Sequence, residues 1–112
     1  MDTLFATREL AGTNVLVAEG EIDLFTAPRL RCRVEALLEA GRREVVLDLR
    51  PVTFLDTAGL GVLVQCSAAA DRHGASLRLV CSQPHLLKVF RITGLDRVFV
   101  LHADLASAGV AA

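Results

Sequence analysis

Short apolar runs alternate along the chain with segments in which apolar residues recur every three or four positions. The runs predict five strands, at residues 4–10, 14–19, 45–49, 76–80 and 98–101. The helical spacing predicts four helices, at residues 26–41, 58–73, 84–92 and 104–108. Because strands and helices alternate after an N-terminal hairpin, we expect an α/β fold with a mixed, mostly parallel sheet covered by the helices.

Composition fits a single domain that spans residues 1–112. Hydrophobic residues make up 53% of the chain, which is enough for one core at this length. The net charge of −1 offers no basic patch, so we expect no direct contact with nucleic acid. No apolar run is long enough to span a bilayer and the N-terminus does not resemble a signal peptide. A cytoplasmic protein with no membrane contact is therefore predicted.

The cysteines and histidines are dispersed and show no spacing typical of metal ligands. They are Cys32, Cys66, Cys81, His73, His85 and His102. An odd number of separated cysteines indicates reduced thiols rather than a disulfide framework. We expect neither a metal nor a cofactor.

Residues 54–57 lead from a loop beside the sheet into the second helix and are the strongest candidate for a functional site. Thr57 is predicted as the N-cap of this helix, where its hydroxyl would accept a hydrogen bond from a first-turn amide. A hydroxyl there faces outward, and the helix start tolerates an anion. From the pattern alone, Thr57 either only caps its helix or also serves a function.

Two enzymatic interpretations of this segment are weak. Gly59 and Gly61 supply only the first two glycines of a dinucleotide-binding motif, with Val64 in place of the third. No histidine accompanies Thr57 to activate it as a nucleophile, and Asp23 and Asp56 alone are a poor base system for an alcohol. The residues therefore favour a protein that is not an enzyme.

Three segments resemble the STAS domain of bacterial anti-sigma factor antagonists. They are FLDTAGLGVLV at residues 54–64, GEIDLFTAPRL at residues 20–30 and LLKVFRITGLDRVF at residues 86–99. The resemblance implies that the partner anti-sigma factor, a serine/threonine kinase, phosphorylates Thr57. It implies further that the unmodified protein binds this kinase and releases the sigma factor, that the modified protein does not, and that a serine/threonine phosphatase resets the switch.

The partner-binding surface expected from the resemblance lies around Thr57. Its residues are Asp23, Leu24, Phe25, Asp56, Ala58, Gly59 and Val62, whereas Leu63 is predicted to pack in the core. An alternative stays open, because Asp-Thr pairs like Asp56-Thr57 also resemble STAS subunits of stressosomes and lipid transporters. In that case the chain would bind a transporter ATPase or a stressosome partner without being phosphorylated.

Overall fold

The computed structural model describes residues 3–110. Strands β1 (Leu4–Leu10) and β2 (Thr13–Ile22) form the N-terminal hairpin, followed by helix α1 (Ala27–Glu39). Strands β3 (Glu44–Asp48) and β4 (Val52–Leu55) precede helix α2 (Thr57–Arg72), and strand β5 (Ser76–Val80) precedes helix α3 (Pro84–Thr93). A 3-10 turn (Leu95–Arg97) and the short strand β6 (Leu101–His102) follow.

The six strands form one mixed sheet in the order β1-β2-β3-β5-β6, with β4 also paired to β2. Of the strands in residues 3–110, only β1 is antiparallel to its neighbour. The turn of the hairpin consists of Ala11 and Gly12, which have positive φ angles of 51° and 83°. Two such residues give the turn a twist that matches the strands it joins. The predicted α/β class, the hairpin and the mostly parallel sheet are confirmed.

The larger core lies between one face of the sheet and the helices. Leu16, Ala18 and Ile22 of β2 face this core, together with Leu30 and Val34 of α1, Leu63 of α2 and Phe90 of α3. Alternate strand residues point to the opposite face, where Val15, Val46 and Val80 pack with Ala108 and Val110 from the end of the chain. Helices cover one face, and a turn-rich C-terminal segment covers part of the other.

Two predictions for the C-terminal part of the chain were wrong. The strand expected at residues 98–101 is only Leu101–His102, since a 3-10 turn and an irregular stretch occupy residues 95–100. The helix expected at residues 104–108 is a series of turns. Asp104 accepts a hydrogen bond from the Ser107 amide at 2.7 Å, and Gly109 has a φ of 84°. Side-chain bonding to the local backbone competes here with helix formation, so the described part of the chain forms three α-helices rather than four.

Candidate functional site

The candidate site lies where β2 and β4 end side by side. The two strands are parallel, and Ile22 is paired with Leu55 at their carboxyl ends. The Asp56 amide donates a hydrogen bond of 3.2 Å to the Ile22 carbonyl, which fixes the start of α2 against β2. Asp23 and Asp56 each follow the last residue of their strand, so they lie at the same edge of the sheet, as the sequence indicated.

Asp56, and not Thr57, caps helix α2. Its backbone is extended, with φ −95° and ψ −175°, and its Oδ1 accepts a hydrogen bond of 2.9 Å from the Gly59 amide. The Leu60 amide donates to the Asp56 carbonyl at 3.0 Å and closes the first turn. The prediction that Thr57 is the cap was therefore wrong by one residue, because the pairing of Leu55 with β2 sets where the extended backbone ends.

Thr57 is the first residue of α2, and its side chain is exposed. Within residues 3–110 its hydroxyl makes no hydrogen bond to another group. The first-turn amides and the helix dipole favour negative charge at this end of a helix. Thr57 thus presents an unengaged hydroxyl at a position where an added phosphate is tolerated.

Gly59 is buried, which corrects its predicted place on the partner-binding surface. A Cβ atom at this position would lie 2.5 Å from Leu55 Cδ1 and 2.8 Å from the Ile22 carbonyl oxygen. The surface that Gly59 approaches closely is therefore the chain's own sheet. Gly61 differs, because a Cβ atom there would meet nothing within 4 Å.

The exposed stripe of α2 carries Thr57, Gly61 and Val64, which lie four and three residues apart along the helix. Leu63 is fully buried, as predicted. Val62 is partly accessible and also packs against the main core, so its role as a surface contact stays a prediction. Ala58 is partly exposed beside Thr57. Gly61 and Val64 lie within residues 60–64, a segment that the sequence also offered to a partner, but they were not among the seven predicted contact residues.

The loop between β2 and α1 is held by its own polar groups. Asp23 Oδ1 accepts hydrogen bonds from the amides of Phe25 at 2.9 Å and Thr26 at 3.0 Å. The Thr26 hydroxyl donates to the Glu21 carbonyl at 2.8 Å. The bond from the Thr26 amide is the main reason why the pKa of Asp23 lies below its ordinary value.

This bonded loop presents two large apolar side chains to solvent. Leu24 is 67% exposed and Phe25 is 83% exposed. Phe54 of β4 is 50% exposed at the same end of the sheet. Phe54 was not among the predicted contacts, because the four-residue strand that carries it gives no clear alternating pattern. Exposed apolar residues beside polar ones are typical of protein-binding surfaces.

Away from this site, metal ligands, reactive thiols and membrane-spanning helices are the other features of the described part of the chain that bear on function. Among residues 3–110, no three side chains of His, Cys, Asp or Glu lie close enough together to hold a metal ion. Burial raises the pKa of the Cys66 thiol to about 12 and also raises the pKa of Cys81. None of the helices in this range is both long and apolar enough to cross a bilayer.

Comparison with known proteins defines the class to which this fold and site belong. Residues 5–108 match the STAS domain family model, so the chain belongs to the STAS domain family. It is 36% identical over 84 residues to the anti-sigma-B factor antagonist of Bacillus subtilis (strain 168), covering 75% of this chain and 76% of that protein.

Solved structures agree with this assignment. The crystal structure of an anti-sigma factor antagonist from Mycobacterium paratuberculosis superimposes with a TM-score of 0.87 at 28% identity, covering 96% of this chain and 91% of the other. The phosphorylated form of the Bacillus cell fate determinant SpoIIAA has a TM-score of 0.70 at 18% identity, covering 92% and 95%. At that identity the likeness is one of fold.

Proposed function

We propose that this chain is an anti-sigma factor antagonist whose binding to an anti-sigma factor kinase is switched by phosphorylation of Thr57. The observation that carries the proposal is the exposed, unbonded Thr57 hydroxyl at the start of α2, at the same end of the sheet as the exposed apolar side chains of Leu24, Phe25 and Phe54. The similarity to the anti-sigma-B factor antagonist supports the choice of partner. The protein acts in the cytoplasm, and a phosphatase restores the binding form.

The switch is electrostatic and leaves the fold intact. A phosphate on Thr57 adds between one and two negative charges at a helix start, where the first-turn amides and the dipole accept them. At the interface the same charge has to be buried next to apolar residues. Burial of an unpaired charge costs several kcal/mol, and about 3 kcal/mol already lowers affinity more than a hundredfold.

The test uses purified protein and the anti-sigma factor kinase that it retrieves from lysate of its own organism. Thr57→Ala should abolish phosphate uptake from ATP yet keep binding and stability, within about 0.5 kcal/mol, because Thr57 is exposed and does not cap the helix. Thr53→Ala is the control for loss of a nearby exposed threonine; its hydroxyl already donates a hydrogen bond of 3.2 Å to the Gly20 carbonyl, so phosphate uptake should continue without it. Phosphate on the Thr57→Ala variant would exclude Thr57 as the acceptor.

Thr57→Glu and Thr57→Asp test the charge itself. Both should weaken kinase binding while the melting temperature stays near that of the wild type, because acidic residues are favourable in the first turn of a helix. A melting temperature that fell together with binding would show an effect through the fold. If the retrieved partner binds but never modifies Thr57, the chain is instead a STAS subunit of a stressosome or a transporter.

A further inference from the structure

The side-chain amide of Gln83, just before α3, contacts three backbone carbonyls of one turn. Its Nε2 lies 2.7 Å from the Leu49 carbonyl oxygen, 2.9 Å from that of Arg50 and 2.6 Å from that of Val52. On the other side, Gln83 Oε1 accepts a hydrogen bond of 3.0 Å from the Ser82 amide. These neighbours fix the orientation of the amide, since carbonyls only accept and a backbone N–H only donates.

The turn held by Gln83 leads directly into the candidate site. The Val52 amide donates to the Leu49 carbonyl at 2.9 Å, which closes the turn between β3 and β4. Strand β4 begins at Val52 and ends at Leu55, immediately before Asp56 and Thr57. Only the four residues of β4 therefore separate the turn from Asp56 at the start of α2.

Among residues 3–110, strand β4 has a backbone partner on one side only. It pairs with β2, while β5 pairs with β3 and ends at Val80, before it can run beside β4. The first turn of α3 occupies that place. His85 Nε2 lies 3.1 Å from the Thr53 carbonyl oxygen, so Gln83 and His85 together contact the open side of β4 and its turn.

We propose that Gln83 is a positioning residue for phosphoryl transfer to Thr57: it holds the turn before β4 and thereby sets the place of the acceptor hydroxyl. The inference rests on the proposed function, because it needs Thr57 to be the acceptor. Gln83 does not contact Thr57 itself. It acts through β4, and phosphoryl transfer depends strongly on how the attacking oxygen is placed relative to the phosphate.

The experiment compares Gln83→Met and Gln83→Glu with the wild type. Methionine keeps the length of the side chain and removes the hydrogen bonds, whereas glutamate places an oxygen against three carbonyl oxygens and should perturb the turn more. Gln65→Glu is the matched control, because Gln65 is the only other glutamine of the chain and is exposed on α2. The readouts are amide hydrogen exchange by NMR and the kinetics of phosphate transfer from ATP by the retrieved kinase.

For Gln83→Met we expect the amides of Val52, Asp56 and Gly59 to exchange on the order of tenfold faster, with α1 amides such as Val34 unchanged. The kcat of transfer to Thr57 should fall on the order of tenfold, with KM near that of the wild type. A merely structural role would instead accelerate exchange throughout the domain. Local acceleration in Gln83→Glu, larger than in Gln83→Met, with Gln65→Glu like the wild type, would support the proposal.

Transfer to Gln83→Met as fast as to the wild type would overturn the inference, and so would exchange that is unchanged or uniformly raised. If Gln83→Met does not fold, Gln83→Asn is tested instead, because asparagine keeps the amide group but is one carbon too short to reach all three carbonyl oxygens of the turn. Slower transfer to Gln83→Asn, with faster exchange confined to the amides of Val52, Asp56 and Gly59, supports the proposal, and unchanged transfer refutes it. If the wild type itself takes up no phosphate, the proposed function fails, while the exchange data still show whether Gln83 holds the turn.

Discussion

Asp56 and Thr57 are adjacent at the start of α2, and the side chain of either residue could cap this helix. Both residue types are good helix N-caps, so the sequence alone does not say which one bonds the first turn. In the structure Asp56 is the cap, and the Thr57 hydroxyl makes no hydrogen bond within the described residues. Because the cap is independent of Thr57, modification of the hydroxyl need not disturb the helix start.

The three cysteines should differ sharply in reactivity. Cys32 is exposed on α1, whereas Cys66 and Cys81 are buried. Burial raises the pKa of Cys66 to about 12, so at neutral pH its reactive thiolate is almost absent. We expect a maleimide to label one thiol per folded chain, at Cys32, and three thiols in denaturant, as measured by mass spectrometry. Rapid labelling of Cys66 in the folded protein would contradict the burial.

At the scale of elements, the contact between α2 and the sheet depends on Gly59. Gly59→Ala forces a methyl group against Leu55 and the Ile22 carbonyl, so it should lower the free energy of unfolding by about 1–3 kcal/mol. Gly61→Ala is the matched control, since its methyl group meets open space and alanine favours the helix by about 0.5–1 kcal/mol. Urea denaturation measures the free energy of unfolding of both variants, which should fall for Gly59→Ala and rise for Gly61→Ala. Changes of the same sign in both would refute the packing argument.

Substitutions on the buried and on the exposed face of α2 should affect stability and kinase binding separately. Leu63 is fully buried, so Leu63→Ala should cost about 2–5 kcal/mol as a cavity. Val64 is 39% exposed on the stripe that carries Thr57, so Val64→Lys should weaken kinase binding at little cost in stability. Paired melting and pull-down measurements check this. The surface assignment fails if Val64→Lys is as unstable as Leu63→Ala, or if it binds like the wild type.

The sequence predicted elements best where the apolar pattern and the flanking turn residues agree. Strand β5 and helix α3 start at the predicted residues because their apolar pattern and flanking Gly and Pro residues agree. Strand β4 was missed because it has only four residues, of which Thr53 and Phe54 are exposed. Its existence depends on pairing with β2, which is distant in sequence. Local patterns do not contain that information, nor the burial of Gly59 that results from it.

Resemblance and geometry contributed differently to the candidate site. The motif at residues 54–64 pointed to Thr57, and the exposed hydroxyl is consistent with that assignment. The neighbouring surface needed the three-dimensional structure, because helix phase places Gly61 and Val64 on the exposed stripe with Thr57, and strand pairing places Phe54 at the end of the sheet where α2 begins. The contacts of Gln83 with the turn before β4 join residues more than 30 positions apart, so no local sequence pattern predicts them.

At the scale of the whole molecule, β1 is an edge strand that other chains could extend. Gly20 turns its amide toward the Pro51 carbonyl of the neighbouring turn, so Ala18, two residues earlier, also faces away from β1. Phe5, which is paired with Ala18, must therefore turn its own backbone groups outward. Exposed edges of this kind promote association unless they are blocked.

Two arginines of α1 block this edge. Arg33 donates to the Phe5 carbonyl at 3.0 Å and to the Thr7 hydroxyl at 2.9 Å. Arg29 donates to the Thr3 carbonyl at 3.3 Å, and its guanidinium lies 5.3 Å from the centroid of the Phe5 ring. The guanidinium groups occupy acceptors that an incoming strand would need, and they place positive charge along the edge.

We therefore expect the double variant Arg29→Ala/Arg33→Ala to self-associate more strongly than the wild type, with pairing between β1 strands of two copies. Arg31→Ala is the control, because Arg31 lies on the same helix but bonds Glu35 and Gln65 instead of β1. Sedimentation velocity over a range of concentrations measures the shift. Because all three residues are exposed, loss of the core does not explain an association confined to the double variant. Equal sedimentation of the double variant and the wild type would show that the two arginines do not block pairing at β1. Self-association of the Arg31→Ala control would show that the loss of a positive charge is sufficient, wherever it lies on α1.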